Sequence, residues 1–274
     1  GLDETVVLSR SNHGVLSQAL VQLPDSVKHK RYRQEFRTRF CEGLLARRIL
    51  LAEGATEATA FPVAARRLAE LNPDQYSSLE ALGITTIDAG TDSQLADLGQ
   101  LYRTLGKTVY GLCDKQTEES EAKIRVQVDA LFMHDEKGIE DLVLKNTTVD
   151  ALNRFADLLT WPQHLAQQYP DPKADVINAL KAYFKNKKGD WGVADFLAQC
   201  TEDEIPLWMR ETCMAIAAHA QPAPVPEADE QAETAEVCNP HEGEGLKATS
   251  TFTSHCIGAL NGRARSAAKT LSAS

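Results

Sequence analysis

The sequence predicts an α/β fold in which a mainly parallel sheet is flanked by helices and followed by an all-helical region. Three observations carry this expectation. From residue 47, short apolar segments alternate with helical ones for about a hundred residues, the pattern of βαβ units. Past residue 147 the strand-like segments stop and only helical spacing remains. No apolar run approaches the roughly 18 residues that a membrane span requires, so the 43% of apolar residues in this 274-residue chain can serve cores. With no secretory leader at the start either, a cytoplasmic protein is expected.

The elements follow in order. Residues 1–45 read as an N-terminal linker and a basic amphipathic helix. Lys28, Lys30, Arg31, Arg33, Arg37, Arg39, Arg47 and Arg48 stand against Glu35 and Glu42, a net charge of +6 over 28–48 in a chain whose net charge is −10. Tyr32, Phe36, Phe40 and Leu44 recur every fourth residue, on one side of a helix. A solvated face on a packed helix and a phosphate-facing surface both fit this pattern. A domain over 46–146 comes next. Ile49 to Ala52 reads as a strand ended by Glu53-Gly54, and Ala58 to Leu71 as a helix stopped by Asn72-Pro73. Ile84 to Ile87 is a second strand. Leu95, Leu98, Leu101 and Leu105 mark a helix closed by Gly106. Val109 to Cys113 and Ala130 to Met133 are further strands, the last followed by a short helix near Ile139 to Leu144.

Residues 147–220 form the helical region, with apolar spacing around Leu152 to Leu159, Val176 to Phe184, Phe196-Leu197 and Leu207 to Ile216. Thr201 and Glu204 have capping-box spacing ahead of the last of these. Residues 221–274 read as an acidic, low-complexity tail without a fold: Pro222, Pro224 and Pro226 precede seven acidic residues, with no Lys or Arg before Lys247. The six cysteines show no C-x-x-C pair and no zinc spacing, so reduced thiols are expected. His13, His29, His134 and His164 are too dispersed for a shared site, and Cys113 reads as a buried strand thiol.

Ligands of an open parallel sheet bind at the carboxyl ends of its strands. Here those positions are acidic: Glu53 and Glu57 after the first strand, Asp114 after the third, Glu140 and Asp141 after the fourth. Any one of them is accounted for by a helix dipole or a loop. Acids delivered to one edge by three separate βα connections are not something stability demands. Converging carboxylates repel one another, and magnesium and manganese prefer oxygen donors, so the pattern points to a divalent metal site.

The segment RRILLAEGATEATAFPVAARRL resembles the first motif of Toprim domains, an apolar strand followed by E-G-x-T-E and a helix. It most resembles the version found in OLD-family (overcoming lysogenisation defect) nucleases. Upstream, FCEGLLARR is similar to the lead-in that follows the ATPase domain of that family. TVYGLCDKQ resembles the strand and D-x-D motif, with Asp114 at its first aspartate and the neutral Gln116 at its second acid. KGIEDLVLKN resembles the later acidic segment, through Glu140 and its neighbour Asp141. The likeness covers about residues 35–145 and, loosely, the helical part to about 218.

The resemblance implies a Toprim-like fold and a DNA endonuclease that hydrolyses phosphodiester bonds with two divalent ions, Mg2+ or Mn2+. Glu57 and Asp114, with Glu140 or Asp141, would hold one ion, and Glu53 would hold the second or orient its water. Gln116 would coordinate or hold a metal-bound water. A lysine returned by the helical region, Lys188 with Lys185 and Lys187 as alternates, would neutralise charge on the phosphate. The implied partners are DNA, an N-terminal ATPase domain and a second copy in a full-length homodimer; no Walker A pattern occurs in this chain. The alternative is a non-catalytic Toprim-like dimerisation or assembly module, which Gln116 favours.

Overall fold

The computed structural model describes residues 6–10, 16–21, 41–187 and 191–220. Most of the basic stretch (22–40), Lys188 and the tail 221–274 lie outside the described residues.

A parallel sheet of four strands is the centre of the fold: β3 (Arg48–Ala52), β4 (Ile84–Asp88), β5 (Thr108–Cys113) and β6 (Ala130–Met133), in the spatial order β4-β3-β5-β6. In β3, Ile49, Leu50, Leu51 and Ala52 are all fully buried. A strand with both faces covered is apolar throughout rather than alternating. The alternation reappears in the packing. Leu50 and Ala52, with Tyr110 and Leu112 of β5, enter one core layer; Ile49 and Leu51, with Val109 and Cys113, enter the other. Each such buried side chain stabilises the fold by about 1.5–3 kcal/mol.

The first layer is closed by α2 (Ala55–Leu71) through Ala60, Phe61, Ala64, Ala65 and Leu68. The second is closed by α3 (Asp92–Thr104) through Leu95, Leu98, Leu101 and Tyr102. Thr91 caps α3 by accepting from the Gln94 N–H, and Gly106 follows it at φ +74°, the left-handed conformation expected after a helix. Helix α1 (Cys41–Leu45) is the described part of the basic segment. Arg48, which sequence grouped with that basic surface, is instead engaged at the foot of β3. Its guanidinium donates to the carbonyls of Leu82 (2.8 Å) and Ala220 (2.6 Å).

Several elements differ from expectation. Within the span expected as a linker, β1 (Val6–Arg10) and β2 (Leu16–Leu20) pair antiparallel from Val6 with Leu20 to Arg10 with Leu16, and Val7 packs into the second core layer. Helix α4 (Glu118–Gln127) was not foreseen; it buries only Ile124 and so has almost no apolar period to read. The capping box at Thr201 and Glu204 closes a 3-10 turn over Glu202–Glu204 rather than the following helix.

After β6 comes α5 (Gly138–Lys145), and the helical region then comprises α6 (Val149–Leu158), α7 (Gln163–Gln168), α8 (Val176–Asn186), α9 (Gly192–Leu197) and α10 (Leu207–Ala220). It joins the α2 side of the sheet. Phe155 packs edge-on against Phe196 (5.3 Å between centroids), and α9 and α10 lie along α2. Arg154 forks onto both oxygens of Glu204, at 3.0 and 2.7 Å. At the sheet edge, the Trp208 indole N–H of α10 donates to the Met133 carbonyl of β6 (2.9 Å). Among the described residues, no helix is long and apolar enough to cross a membrane.

Candidate active site

Parallel strands in register end side by side. Ala52 stands opposite Leu112, and the ladder runs one residue further, with the Glu53 N–H donating to the Leu112 carbonyl (2.9 Å) and the His134 N–H to that of Cys113 (3.3 Å). Glu53, Asp114 and His134 are therefore the first residues past β3, β5 and β6, along one edge.

The turn after β3 adds the next acid. Gly54 caps α2 with extended backbone, which any residue can adopt; its use is space, since a Cβ there would lie 2.8 Å from Glu57 Oε2. That gap lets the Glu57 carboxylate fold back over the helix start, where Oε1 accepts from the Ile139 N–H of α5 (3.4 Å). Between the two acids of the motif, buried Thr56 donates through Oγ1 to Glu140 Oε1 (3.3 Å). Gly138, at φ +81°, takes the left-handed turn that starts α5, and a Cβ on it would lie 3.0 Å from Glu140 Oε2. Glu53, Glu57, Asp114 and Glu140 are thus brought to one edge.

Electrostatics reports the same crowding. Burial pushes the Glu53 carboxyl up to about 7, and repulsion from Asp114 and, more weakly, Glu57 adds to it. Glu57 is also raised, first by burial and then by Glu140 and Asp114, against the backbone N–H groups that favour its ionised form. Burial, with Glu53 and Asp114 nearby, lifts the Cys113 thiol to about 12, which leaves it un-ionised and unsuited to nucleophilic attack.

Gln116 occupies the middle of this edge. Its Nε2 donates to Glu53 Oε2 (3.0 Å), Asp114 Oδ1 (3.1 Å) and the Asp114 carbonyl (3.2 Å), while Oε1 accepts from Ser120 Oγ (3.4 Å). Asp141, on the same helix as Glu140, is turned instead to Lys181 of α8 at 2.5 Å. Lys185 and Lys187 close α8. Two participants were missed by sequence reasoning. Thr56 was legible as the Thr of E-G-x-T-E. His134 was set aside as isolated in sequence, yet its buried ring lies at this edge, 5.0 Å edge-on from Trp208, with Nδ1 unpartnered.

Among the described residues, no three His, Cys, Asp or Glu side chains already stand close enough to hold a metal ion. The donor set nonetheless fits a hard divalent cation in chemistry. Glu57, Asp114 and Glu140 offer oxygen donors, and beyond burial the charges raising Glu57 are those of other carboxylates, which a cation relieves.

The chain thus has a parallel sheet with acids gathered at its carboxyl edge, the first pair carried by a strand-turn-helix E-G-x-T-E. Residues 44–115 match the family model described as overcoming lysogenization defect protein-like, TOPRIM domain; the chain carries an OLD-like TOPRIM domain over that stretch. Among solved structures, the chain is similar to the C-terminal region of the Burkholderia pseudomallei OLD protein (15% identity, 64% of this chain and 99% of that one, TM-score 0.47). It is also similar to the C-terminal region of the Xanthomonas campestris pv. campestris OLD protein (18% identity, 66% and 100%, TM-score 0.41). No curated protein matches the chain.

Proposed function

We propose that this edge hydrolyses phosphodiester bonds in DNA as a metal-dependent endonuclease, with Glu57, Asp114 and Glu140 as the principal ligands of Mg2+ or Mn2+. The observation that carries the reading is the gathering of Glu53, Glu57, Asp114 and Glu140 at one sheet edge, with Glu57 held by the Ile139 N–H and raised first by burial and then by the charges of Glu140 and Asp114. When bound, divalent cations at such an edge neutralise the scissile phosphate and acidify the attacking water. How many the edge takes depends on Gln116, an amide where the resemblance expects an acid.

The chain's own residues supply the rest. Glu53, hydrogen-bonded to Gln116 and the Asp114 N–H at the same edge, is placed to orient the attacking water and accept its proton. As the water oxygen bonds to phosphorus, the bond from phosphorus to the sugar oxygen breaks, and that oxygen takes a proton from solvent. Thr56 steadies Glu140. Lys188, or Lys185 or Lys187, is the implied cation for the charge that develops on the phosphate. The basic stretch 28–48, without Arg48, is the implied DNA-backbone surface. An N-terminal ATPase domain and a homodimer belong to the same reading of the full-length protein.

The test is supercoiled plasmid incubated with Mg2+ or Mn2+. Nicked or linear product that disappears with chelator, and falls at least about 100-fold in Glu57→Ala and Asp114→Ala of unchanged circular dichroism, supports the enzyme. One observation favours a second reading, an assembly module: the amide at position 116 adds no charge to the edge. A folded protein that binds neither cation and leaves plasmid intact establishes that reading instead.

A further inference from the structure

Resting on the metal-dependent reading above, we infer that this edge binds one divalent cation per chain, the place of a second being taken by the Gln116 side chain. The amide's orientation is fixed by its surroundings. Three oxygen acceptors, Glu53 Oε2, Asp114 Oδ1 and the Asp114 carbonyl, lie 3.0–3.2 Å from Nε2, whereas the atom facing Oε1 is the Ser120 hydroxyl. Turning the amide over to present Oε1 to a cation would set it against those three acceptors and remove its contact with Ser120.

The consequence is a division of the edge. Glu53 and Asp114, the two acids a bridging ion would share, share an N–H donor. The amide bridges them with a dipole and brings no negative charge with which to bind a cation there. A cation between Glu53 and Asp114 would have to displace Nε2 without gaining a charged ligand. On the other side, Glu57 and Glu140 retain carboxylates steadied from outside the set by the Ile139 N–H and the Thr56 hydroxyl, and they have no amide between them. The one ion would then be held by Glu57 and Glu140 together with Asp114. Glu53 remains hydrogen-bonded to Gln116 and the Asp114 N–H.

Mn2+ alone is the probe. Equilibrium dialysis or titration calorimetry gives the number of ions per chain, and electron paramagnetic resonance distinguishes an isolated Mn2+ from a spin-coupled pair. The expected result is one ion with an isolated signal in the native chain. In Gln116→Glu, which replaces the donor with an oxygen of the same shape, it is two ions with a coupled signal. Two ions in the native chain overturn the inference while leaving the nuclease reading intact. So does a folded Gln116→Glu that still binds one. No ion in the native chain overturns both. Should Gln116→Glu fail to fold, Gln116→Asp and the native stoichiometry decide between the same outcomes.

Discussion

Replacing Glu53 with Gln should stabilise the cation-free protein at pH 8 and do little at pH 5. Glutamine preserves an acceptor for the Asp114 N–H and the Gln116 amide but removes the charge that burial and Asp114 oppose. A carboxyl raised from 4.5 to about 7 on folding contributes no penalty below pH 4.5, where both states are protonated. The penalty grows as pH rises to about 7 and is constant above it, so this group's contribution to stability is lost across that window. At about 1.36 kcal/mol per pH unit, the upper bound is about 3 kcal/mol. Glu53 is only half-buried, and solvent screening reduces the figure to about 1–2 kcal/mol. For a chain of this size that raises the melting temperature by roughly 3–6 °C. Thermal unfolding by circular dichroism in chelator, at pH 5 and pH 8, measures it. Equal gains at both pH values, or a loss at pH 8, would refute the claim that uncompensated charge is stored at this edge.

The other predictions probe the supports of the site. Gly54→Ala places a Cβ 2.8 Å from Glu57 Oε2 on a backbone that alanine accepts; Mn2+ affinity by calorimetry falls about tenfold while melting barely changes. Thr56→Val keeps the buried volume and deletes the hydroxyl that holds Glu140, with a similar loss of affinity expected in the same titration. Glu204→Gln breaks the fork to Arg154 and costs about 1–2 kcal/mol in urea unfolding. At the centre of the sheet, Leu50→Ala removes a fully buried side chain and costs about 2–5 kcal/mol in that assay.

What sequence could reveal followed from how many faces an element buries. β3 was legible because burial on both faces demands the unbroken run Ile-Leu-Leu-Ala, and the turn acids were legible because strand ends announce themselves. Helix α4 was not, since one buried residue leaves no period. The hairpin β1-β2 was not, since Val6, Leu8, Leu16 and Leu20 are exposed, and Val7, buried between two of them, leaves little alternation to read. At the site, local motifs gave Glu53, Glu57, Asp114 and Glu140. Partner choice is a tertiary property: nothing in KGIEDLVLKN says that Glu140 meets Thr56 while its neighbour Asp141 meets Lys181, some forty positions downstream.

Trp208 joins two tasks that seem separate. Its N–H closes a carbonyl on the outermost strand β6, and its ring holds His134 beside the acids. A version of the chain shortened before α10 would expose the rim of the sheet, where unsatisfied carbonyls recruit other strands, and would unfasten the imidazole in the same stroke. Self-association and a loosened active edge should arrive together in such truncations, because one indole guards against both.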